Sequence, residues 1–364
     1  MGPTPRPELS RLQPYVPGRP IRDVQESYGL TQVVKLASNE NPLGPSPLAV
    51  VAMQEALASA HLYPEATAPL VRTALAQRFG LDPDWLLVGN GSDSIIRLLC
   101  LAYVQPGDRV VVPGCSFPSY RNFALTSGAE VIEVPLVDEA MDLRQMAVAS
   151  LQGAPARVVF LCRPNNPTGA VFPEDAFREF LAQVPPTTLV VVDEAYKEYD
   201  TTAFDSLGLL QAHPNLVLLR TFSKIYGLGG VRIGYGLAHP AIWKPCLTVR
   251  EPFAVSNLAQ AAALGALADD GHVTRSRQVN EAGKLALQAA CAELGLTWAP
   301  TEANFLFIDL GRQVGPINEA LLTRGVIVRP VGGRPTCIRV TIGLPEENHL
   351  FIQALQAILS SGLY

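Results

Sequence analysis

The sequence is poor in cysteine and contains no long apolar run. Its six cysteines in 364 residues form no C-x-x-C pair and lack the dense spacing of a secreted disulfide scaffold. We therefore expect reduced, mostly buried thiols and assign no metal site. No stretch approaches the length of a membrane helix, and the first seven residues lack the apolar segment of a signal peptide. These absences predict a cytoplasmic protein that is not inserted in a membrane.

Charged residues are also sparse, at 17% of the chain, and they form no basic tract. The formal net charge is -5, and this mild acidity argues against nucleic acid or an anionic membrane as a partner. Hydrophobic residues make up 48% of a chain that is longer than one small domain. The composition therefore agrees with a soluble enzyme that has a sizeable core.

The order of predicted elements indicates an α/β fold with two domains. Strands and helices alternate from about residue 48 to residue 238, which predicts a doubly wound, mainly parallel sheet. Residues 256–294 are Ala-rich with a helical period that breaks near 269–271. Further predicted elements are strands near 305–308, 326–328 and 338–340, and a helix over 348–359. We expect a large domain over 46–270 and a small α+β domain over 271–364, completed by an extended, proline-rich arm over 1–45.

Polar residues follow three of the predicted strands within five positions. These strands are continuous apolar runs, typical of buried parallel strands: residues 158–161, 189–192 and 216–219. Asn166 follows the first run, Asp193 the second and Lys224 the third. Because ligands of open α/β sheets bind at the carboxyl ends of strands, we expect these three side chains to meet in one site.

Each of these residues also has an ordinary structural interpretation. Most lysines are exposed, an aspartate often caps a helix, and Asn-Pro-x-Gly is first of all a turn. Together, however, they fit pyridoxal phosphate, which requires an amine for its aldehyde and an acid for its ring nitrogen. Lys224 supplies the amine and Asp193 the acid, while Asn166 and Tyr196 can bind the phenolic oxygen.

A phosphate cradle is predicted at the start of a fourth segment. The Gly-rich residues 89–91 precede an apolar helical stretch, and Ser92 is a plausible N-cap of that helix. The free N–H groups and the positive dipole end of a helix N-terminus attract anions. Ser223 and Arg232, on either side of a Gly-rich turn, could close this site around a phosphate.

The sequence resembles the fold-type I pyridoxal-phosphate aminotransferases, and within them the histidinol-phosphate aminotransferases, from end to end. The resemblance is carried by residues 14–18, 35–45, 63–64, 89–93, 165–169, 193–196, 220–224 and 338–343. It implies that Lys224 binds the cofactor covalently and moves the proton during transamination. It also implies that Tyr196 acts beside Asp193 in catalysis. Phe117 would stack on the cofactor ring. The phosphate contacts implied are Gly91, Ser92, Asp93, Ser223 and Arg232.

The resemblance also implies a shared active site and an anionic substrate. Tyr63 corresponds to a tyrosine that reaches the cofactor phosphate of the other subunit, so a homodimer is expected. Arg339 would bind the substrate carboxylate, and Arg329 is a second candidate, since guanidinium groups match carboxylates and phosphates. The other substrate contacts implied are Tyr15, Asn39 and Asn304. The expected substrates are amino acids and 2-oxo acids, with glutamate as donor and histidinol phosphate as the second amine.

Two departures from the family pattern leave the substrate open. Ser94 stands where the family often has glutamate, and Arg163 lies close enough to Asn166 to alter the choice of substrate. An aromatic amino acid aminotransferase and a threonine-phosphate decarboxylase would keep the same cofactor residues. A cofactor-sensing transcription regulator would need a DNA-binding domain, whereas the first forty residues or so are Pro-rich and not helical in period.

Overall fold

The structure is a computed structural model that describes residues 2–12, 14 and 17–362. Over these residues the α-helices are α1 (Ile21–Tyr28), α2 (Pro47–Ala56), α3 (Pro69–Phe79), α4 (Ser92–Tyr103), α5 (Pro118–Thr126), α6 (Leu143–Leu151), α7 (Glu174–Gln183), α8 (Ser206–Ala212), α9 (Pro240–Val249), α10 (Asn257–Leu267), α11 (Asp270–Glu293), α12 (Val314–Leu322) and α13 (Pro345–Ser360). No helix in these ranges is both long and apolar enough to cross a membrane.

The strands form one large sheet and one smaller sheet, with two short pairs. They are β1 (Val34–Lys35), β2 (Leu86–Gly89), β3 (Arg109–Pro113), β4 (Glu130–Val134), β5 (Leu136–Val137), β6 (Ala140–Met141), β7 (Val158–Cys162), β8 (Leu189–Asp193), β9 (Leu216–Thr221), β10 (Gly234–Ala238), β11 (Thr297–Trp298), β12 (Phe305–Asp309), β13 (Val326–Ile327), β14 (Arg329–Pro330) and β15 (Cys337–Thr341). The seven-stranded sheet has the order β2-β10-β9-β8-β7-β3-β4, in which only β10 runs antiparallel to its neighbours.

The three predicted apolar runs are the adjacent strands β7, β8 and β9 at the centre of this sheet. Val159 and Val190 pack into the hydrophobic core on one face, and Phe160 and Val191 pack into the core on the other. Because both faces are covered, these strands show no alternation of apolar and polar residues. The predicted doubly wound, mainly parallel α/β fold is confirmed.

The second part of the chain forms a four-stranded antiparallel sheet with the order β11-β12-β15-β14. The predicted helical region over 256–294 is two helices, α10 and α11, and Asp269 caps the second by accepting a hydrogen bond from the His272 N–H. The break predicted near 269–271 is therefore confirmed. A helix that must restart here uses an aspartate because its carboxylate satisfies a free N–H of the first turn.

The N-terminal arm is only partly extended, which corrects the prediction for residues 1–45. It contains helix α1, which follows Pro20 and ends at Gly29 in the left-handed conformation. After this helix, β1 pairs in parallel with β13, so the arm joins the smaller α+β unit as expected. Proline suits the start of a helix and glycine its end, and these residues delimit the short helix.

Candidate active site

The ends of β7, β8 and β9 border a cavity of about 130 Å³. Nine of the predicted cofactor residues line it: Ser92, Asp93, Phe117, Asn166, Asp193, Tyr196, Ser223, Lys224 and Arg232. They come from five separate segments of the chain. Because β7, β8 and β9 run in parallel, the residues that follow each of these strands lie at the same edge of the sheet. The predicted convergence is present in the structure.

Lys224 lines this cavity and is partly buried. Its Nζ donates a hydrogen bond to the Ser38 carbonyl at 3.2 Å and lies 5.6 Å from the centre of the Tyr196 ring. Burial lowers the pKa of Lys224 to about 8, and the positive charge of Arg339 contributes in the same direction. About a tenth of the amine is therefore neutral at pH 7 and about half at pH 8, and the neutral form is the one that a nucleophilic lysine requires.

Asp193 is buried at the end of β8 and is held from two sides. Its Oδ1 accepts a hydrogen bond from the Ala195 N–H at 3.0 Å, and its Oδ2 accepts one from the Tyr120 hydroxyl at 2.7 Å. Burial raises the pKa of Asp193 to about 6, although the Tyr120 hydrogen bond acts in the opposite direction. A buried carboxylate of this kind is stabilised by a cation, such as a protonated pyridine nitrogen.

Tyr196 and Asn166 lie between the cavity and the N-terminal arm. The Tyr196 hydroxyl accepts a hydrogen bond from Asn39 Nδ2 at 2.8 Å, and burial raises the pKa of Tyr196 above its ordinary value. Asn166 Oδ1 accepts a hydrogen bond from Arg339 Nη1 at 2.6 Å. Tyr196 therefore keeps a hydroxyl proton that it can donate to an oxygen in the cavity.

The end of the cavity at which a phosphate is predicted to bind is formed by the start of α4 and by Arg232. Gly91 has φ 76° and is the N-cap residue, so α4 begins at Ser92. The predicted N-cap role of Ser92 is therefore wrong by one position, because the sharp turn needs a positive φ that glycine adopts without strain. A Cβ on Gly91 would lie 2.3 Å from Arg232 Nη2, and Arg232 Nη1 donates to Ser223 Oγ at 3.3 Å. Glycine thus lets the guanidinium approach the helix N-terminus.

A second cavity, of about 370 Å³, shares Phe117 and Asn166 with the first. Arg329 and Arg339 line it, and they are direct partners in the antiparallel register of β14 and β15. Residues opposite each other in an antiparallel pair project from the same face of the sheet. The two arginines therefore form a positive region beside the first cavity, suited to a carboxylate or a phosphate.

These features fit pyridoxal phosphate group by group. The N-terminus of α4 with Arg232 faces the end at which a phosphate would be held. The same cavity is lined by Lys224, Asp193, Tyr196 and Asn166, and Phe117 supplies an aromatic face. The absence of a Cβ at Gly91 leaves room for Arg232 at the phosphate end. The donor set thus matches the needs of each part of the cofactor.

Comparison with known proteins identifies the family. The model of the family described as aminotransferase class I and II matches residues 31–355. The chain belongs to the class I and II aminotransferases.

Individual relatives of this aminotransferase agree with the family match. The chain is 54% identical to a histidinol-phosphate aminotransferase of Symbiobacterium thermophilum, covering 98% of this chain and 99% of the relative. It is 46% identical to one of Moorella thermoacetica, with 98% and 93% covered. Among solved structures, the histidinol-phosphate aminotransferase of Sinorhizobium meliloti in complex with pyridoxal-5'-phosphate has a TM-score of 0.90 and 28% identity, covering 98% of this chain and 97% of that one.

Several predicted residues of this aminotransferase lie outside both cavities. Tyr63 is 82% exposed and stacks on Phe253, with ring centroids 4.7 Å apart. Asn39 and Asn304 are buried behind the site, where Asn304 Nδ2 donates to the Asn39 carbonyl at 3.1 Å. Tyr15 lies outside the described residues. Asn39 and Asn304 thus contact the site through Tyr196 and the arm.

The suggestion that Arg163 alters substrate choice is corrected by the structure. Its side chain is fully buried and lines neither cavity. Arg163 Nε donates to the Phe172 carbonyl at 2.8 Å, Nη2 donates to Thr202 Oγ1 at 2.7 Å, and Nη1 pairs with Asp200. A buried guanidinium is stable only when its donors are paired, and here that pairing directs Arg163 away from the substrate.

Tyr120 and the backbone carbonyls of Ala37 and Ser38 are site features that the sequence did not predict. Tyr120 binds Asp193, although only its neighbour Phe117 had been singled out. The carbonyls of Ala37 and Ser38 accept hydrogen bonds from Arg339 and Lys224. No local pattern reveals these contacts, because a backbone carbonyl is present at every residue and a buried tyrosine is typical of any core.

Proposed function

We propose that this aminotransferase binds pyridoxal phosphate at Lys224 and exchanges amino groups between glutamate or 2-oxoglutarate and histidinol phosphate or its 2-oxo counterpart, imidazole acetol phosphate. The curated relatives at 54% and 46% identity carry the name histidinol-phosphate aminotransferase. The observation that carries the proposal is the cavity that joins Lys224, Asp193 and the start of α4, next to the pair Arg329 and Arg339. These groups match the cofactor and an anionic substrate.

Each residue of the first cavity has a proposed task. When bound, pyridoxal phosphate supplies an aldehyde that accepts amino groups and a ring that takes up electrons. Lys224 would hold the cofactor through its neutral amine and would carry the proton at the reacting carbon. Asp193 keeps the ring nitrogen protonated, and Tyr196 and Asn166 hold the phenolic oxygen. The proposed phosphate contacts are Gly91, Ser92, Asp93, Ser223 and Arg232, and Phe117 packs on the ring.

The two arginines explain how one site could accept two unlike substrates. Glutamate carries an α-carboxylate, whereas histidinol phosphate has a phosphate ester and no α-carboxylate. Either anion could bind Arg339 and Arg329, since a guanidinium pairs with both groups through two parallel hydrogen bonds. Asn39 supports this site by binding Tyr196, at 2.8 Å. Tyr15 and Asn304 are further proposed substrate contacts.

A panel of amino donors tests the substrate directly. Histidinol phosphate, phenylalanine, tyrosine, aspartate and threonine phosphate are each assayed with 2-oxoglutarate as acceptor, by glutamate formation. We expect histidinol phosphate to have the highest kcat/KM. A higher value for phenylalanine or tyrosine would make the protein an aromatic aminotransferase instead. Release of carbon dioxide from threonine phosphate, without glutamate formation, would make it a decarboxylase.

We also propose a homodimer with shared sites, in the cytoplasm, built from an arm over 1–45, a large domain over 46–270 and a small domain over 271–364. The large sheet lies within residues 86–238 and the antiparallel sheet within 297–341, which supports the two domains. All six cysteines are free thiols, as suits a reducing compartment. The exposed Tyr63 supports the dimer, because it lies on the segment between α2 and α3, where further large apolar side chains are exposed, and apolar surface of this kind is typical of an interface.

A further inference from the structure

Tyr120 is a fully buried tyrosine whose hydroxyl has a single charged partner. It lies on α5, three residues after Phe117, and its hydroxyl donates to Asp193 Oδ2 at 2.7 Å. The ring stacks on Phe160, with centroids 5.1 Å apart and planes 8° apart, and meets the edge of Phe117 at 5.7 Å. Packing on both sides fixes the direction of the hydroxyl, because a buried aromatic ring cannot turn without displacing its neighbours.

We propose, resting on the proposed function above, that Tyr120 is a positioning residue that aims the Asp193 carboxylate at the cofactor's ring nitrogen and keeps that carboxylate ionised.

The geometry gives Tyr120 this role through Asp193. The Ala195 N–H binds Oδ1 and the Tyr120 hydroxyl binds Oδ2, so both carboxylate oxygens are fixed in direction. A carboxylate accepts about four hydrogen bonds in total, so each oxygen keeps acceptor capacity for a ring N–H in the cavity. A carboxylate held at both oxygens cannot rotate away when the cofactor binds, and the ring nitrogen finds its partner already oriented.

The electrostatics favour the same role. Burial is the largest cause of the raised pKa of Asp193, whereas the Tyr120 hydrogen bond is the largest effect that lowers it. Burial and the neighbouring Asp193 charge raise the pKa of Tyr120 far above its ordinary value, so its hydroxyl stays protonated and remains a donor. Without this donor the proton shared by Asp193 and the ring would move toward Asp193. The ring would then be neutral and a weaker electron acceptor.

The test compares Tyr120→Phe with Tyr103→Phe in the cofactor-loaded full-length protein. Tyr103 is a matched control, because its hydroxyl also makes one hydrogen bond, to the Ile242 carbonyl at 2.9 Å, far along α4 from the cavity. The readouts are kcat, KM and the pH midpoint at which the absorbance of the bound cofactor changes. That midpoint reports the proton on the nitrogen that links the cofactor to Lys224. A neutral ring withdraws fewer electrons from this nitrogen, so it holds its proton to higher pH.

We expect Tyr120→Phe to raise this midpoint by about one pH unit and to lower kcat by about ten- to a hundredfold, as for one lost hydrogen bond to a charge. KM should change little, and Tyr103→Phe should match the wild type. Tyr120→Phe added to Asp193→Asn should change the midpoint little further, because the tyrosine acts only through the carboxylate. A merely structural Tyr120 would lower stability in both backgrounds and leave the midpoint unchanged.

A folded Tyr120→Phe protein with the wild-type midpoint and kcat would overturn the proposal. If Tyr120→Phe does not fold, Tyr120→4-aminophenylalanine keeps the ring and replaces the hydroxyl by a weaker N–H donor. Its midpoint should then rise by a smaller amount, and an unchanged midpoint would reject the role. A different measurement tests the proposed function on which this role rests. Borohydride reduction and peptide mapping of the wild-type protein would show no pyridoxal phosphate on Lys224 if that function were wrong.

Discussion

At the scale of single residues, the site places ionisable groups where burial opposes their charge. Asp193 has a pKa raised to about 6 and Lys224 has one lowered to about 8, and burial is the largest cause of both shifts. Each shift is an unfavourable contribution to folding, since the unfolded chain solvates the charge fully. The shifts also keep both groups ready to exchange protons near neutral pH, which is what acid–base catalysis requires.

Asp193→Asn should therefore stabilise the cofactor-free protein. The pKa of Asp193 is about 6 in the folded protein and about 3.9 in the unfolded chain. As the pH rises from about 4 to 6, the wild-type protein's free energy of unfolding therefore falls by roughly 2 to 3 kcal/mol. An amide carries no such charge, so the variant should be the more stable protein above pH 6 and equal the wild type below pH 4. Urea unfolding across this range measures the difference.

Asp142→Asn is the contrasting control for this experiment. Backbone N–H groups of Gln145 and Arg144 hold the pKa of Asp142 below its ordinary value, with the Gln145 hydrogen bond as the largest cause. Its contribution to stability is present above the unfolded pKa and is lost as pH falls. The Asp142→Asn protein should thus be less stable than the wild type at neutral pH. If the stability of Asp193→Asn and that of the wild type changed with pH in the same way, the raised pKa of Asp193 would be contradicted.

Lys224 should react with added cofactor in a pH range set by its environment. The rate at which the cofactor-free protein binds pyridoxal phosphate covalently should rise with a midpoint near pH 8, because only the neutral amine attacks the aldehyde. Arg339→Leu removes a positive charge that lowers this pKa, and the midpoint should move to higher pH. Stopped-flow absorbance follows the reaction.

Arg178→Leu is the control, since Arg178 pairs with Glu174 on the exposed side of α7. It should leave the midpoint where it is in the wild type. An equal shift in both variants would show that overall charge, rather than the position of Arg339, sets the pKa of Lys224.

At the scale of elements, the start of α4 has a backbone conformation that allows the Arg232 guanidinium to lie beside the helix N-terminus. Gly91 and Arg232 both adopt a positive φ, of 76° and 62°. The missing Cβ of Gly91 provides the space for Arg232. The helix dipole and the guanidinium would then act on the same anion, the proposed cofactor phosphate.

Gly91→Ala should weaken cofactor binding by about tenfold or more, because its Cβ would displace Arg232 from a contact to a charged phosphate. Gly107→Ala is a matched control: Gly107 has φ 88°, and nothing lies within 4 Å of its would-be Cβ. Both variants place a Cβ at a positive φ, which lowers stability by about 1 to 3 kcal/mol. Only Gly91→Ala should change the affinity, measured by titrating the cofactor-free protein with pyridoxal phosphate. Equal affinities in the two variants would exclude the steric role of Gly91.

At the scale of the whole molecule, large apolar side chains are exposed along one part of the large domain. They lie on α2, α3 and the segment that joins these helices, and include Leu48, Val51, Leu57, Leu62 and Leu70. Tyr63 belongs to the same region and lies outside both cavities of its own chain. Apolar surface of this kind is typical of a protein interface, and here it supports the proposed second copy.

Two inactive variants should complement each other if the active sites are shared. In a mixed dimer of Lys224→Ala and Tyr63→Phe chains, one site combines intact Lys224 with intact Tyr63, and the other carries both defects. Random reassortment of equal amounts makes about half the dimers mixed, so roughly a quarter of wild-type activity should return. Subunit exchange is verified by mass. Activity that stays at the mean of the two parents after complete exchange would place Tyr63 outside the neighbouring site.

The sequence by itself determined the fold class and the family of this protein, and it grouped three residues that line one cavity. Continuous apolar runs identify buried parallel strands, and strands that run in parallel bring their following residues to one edge. Asn166, Asp193 and Lys224 could therefore be grouped without coordinates. Their roles in cofactor binding stay predictions. Element boundaries were less certain, since one position separates an N-cap from the first helical residue, as at Ser92.

Only the tertiary structure decided which distant residues complete the site. Asn39 contacts Tyr196 across 157 positions, and Arg339 binds the Ala37 carbonyl across 302. Packing between separate elements also directs Arg163 into a buried ion pair and the Tyr120 hydroxyl toward Asp193. Periodicity and motifs report the local environment of a segment, whereas these contacts form only when the arm and both sheets pack together.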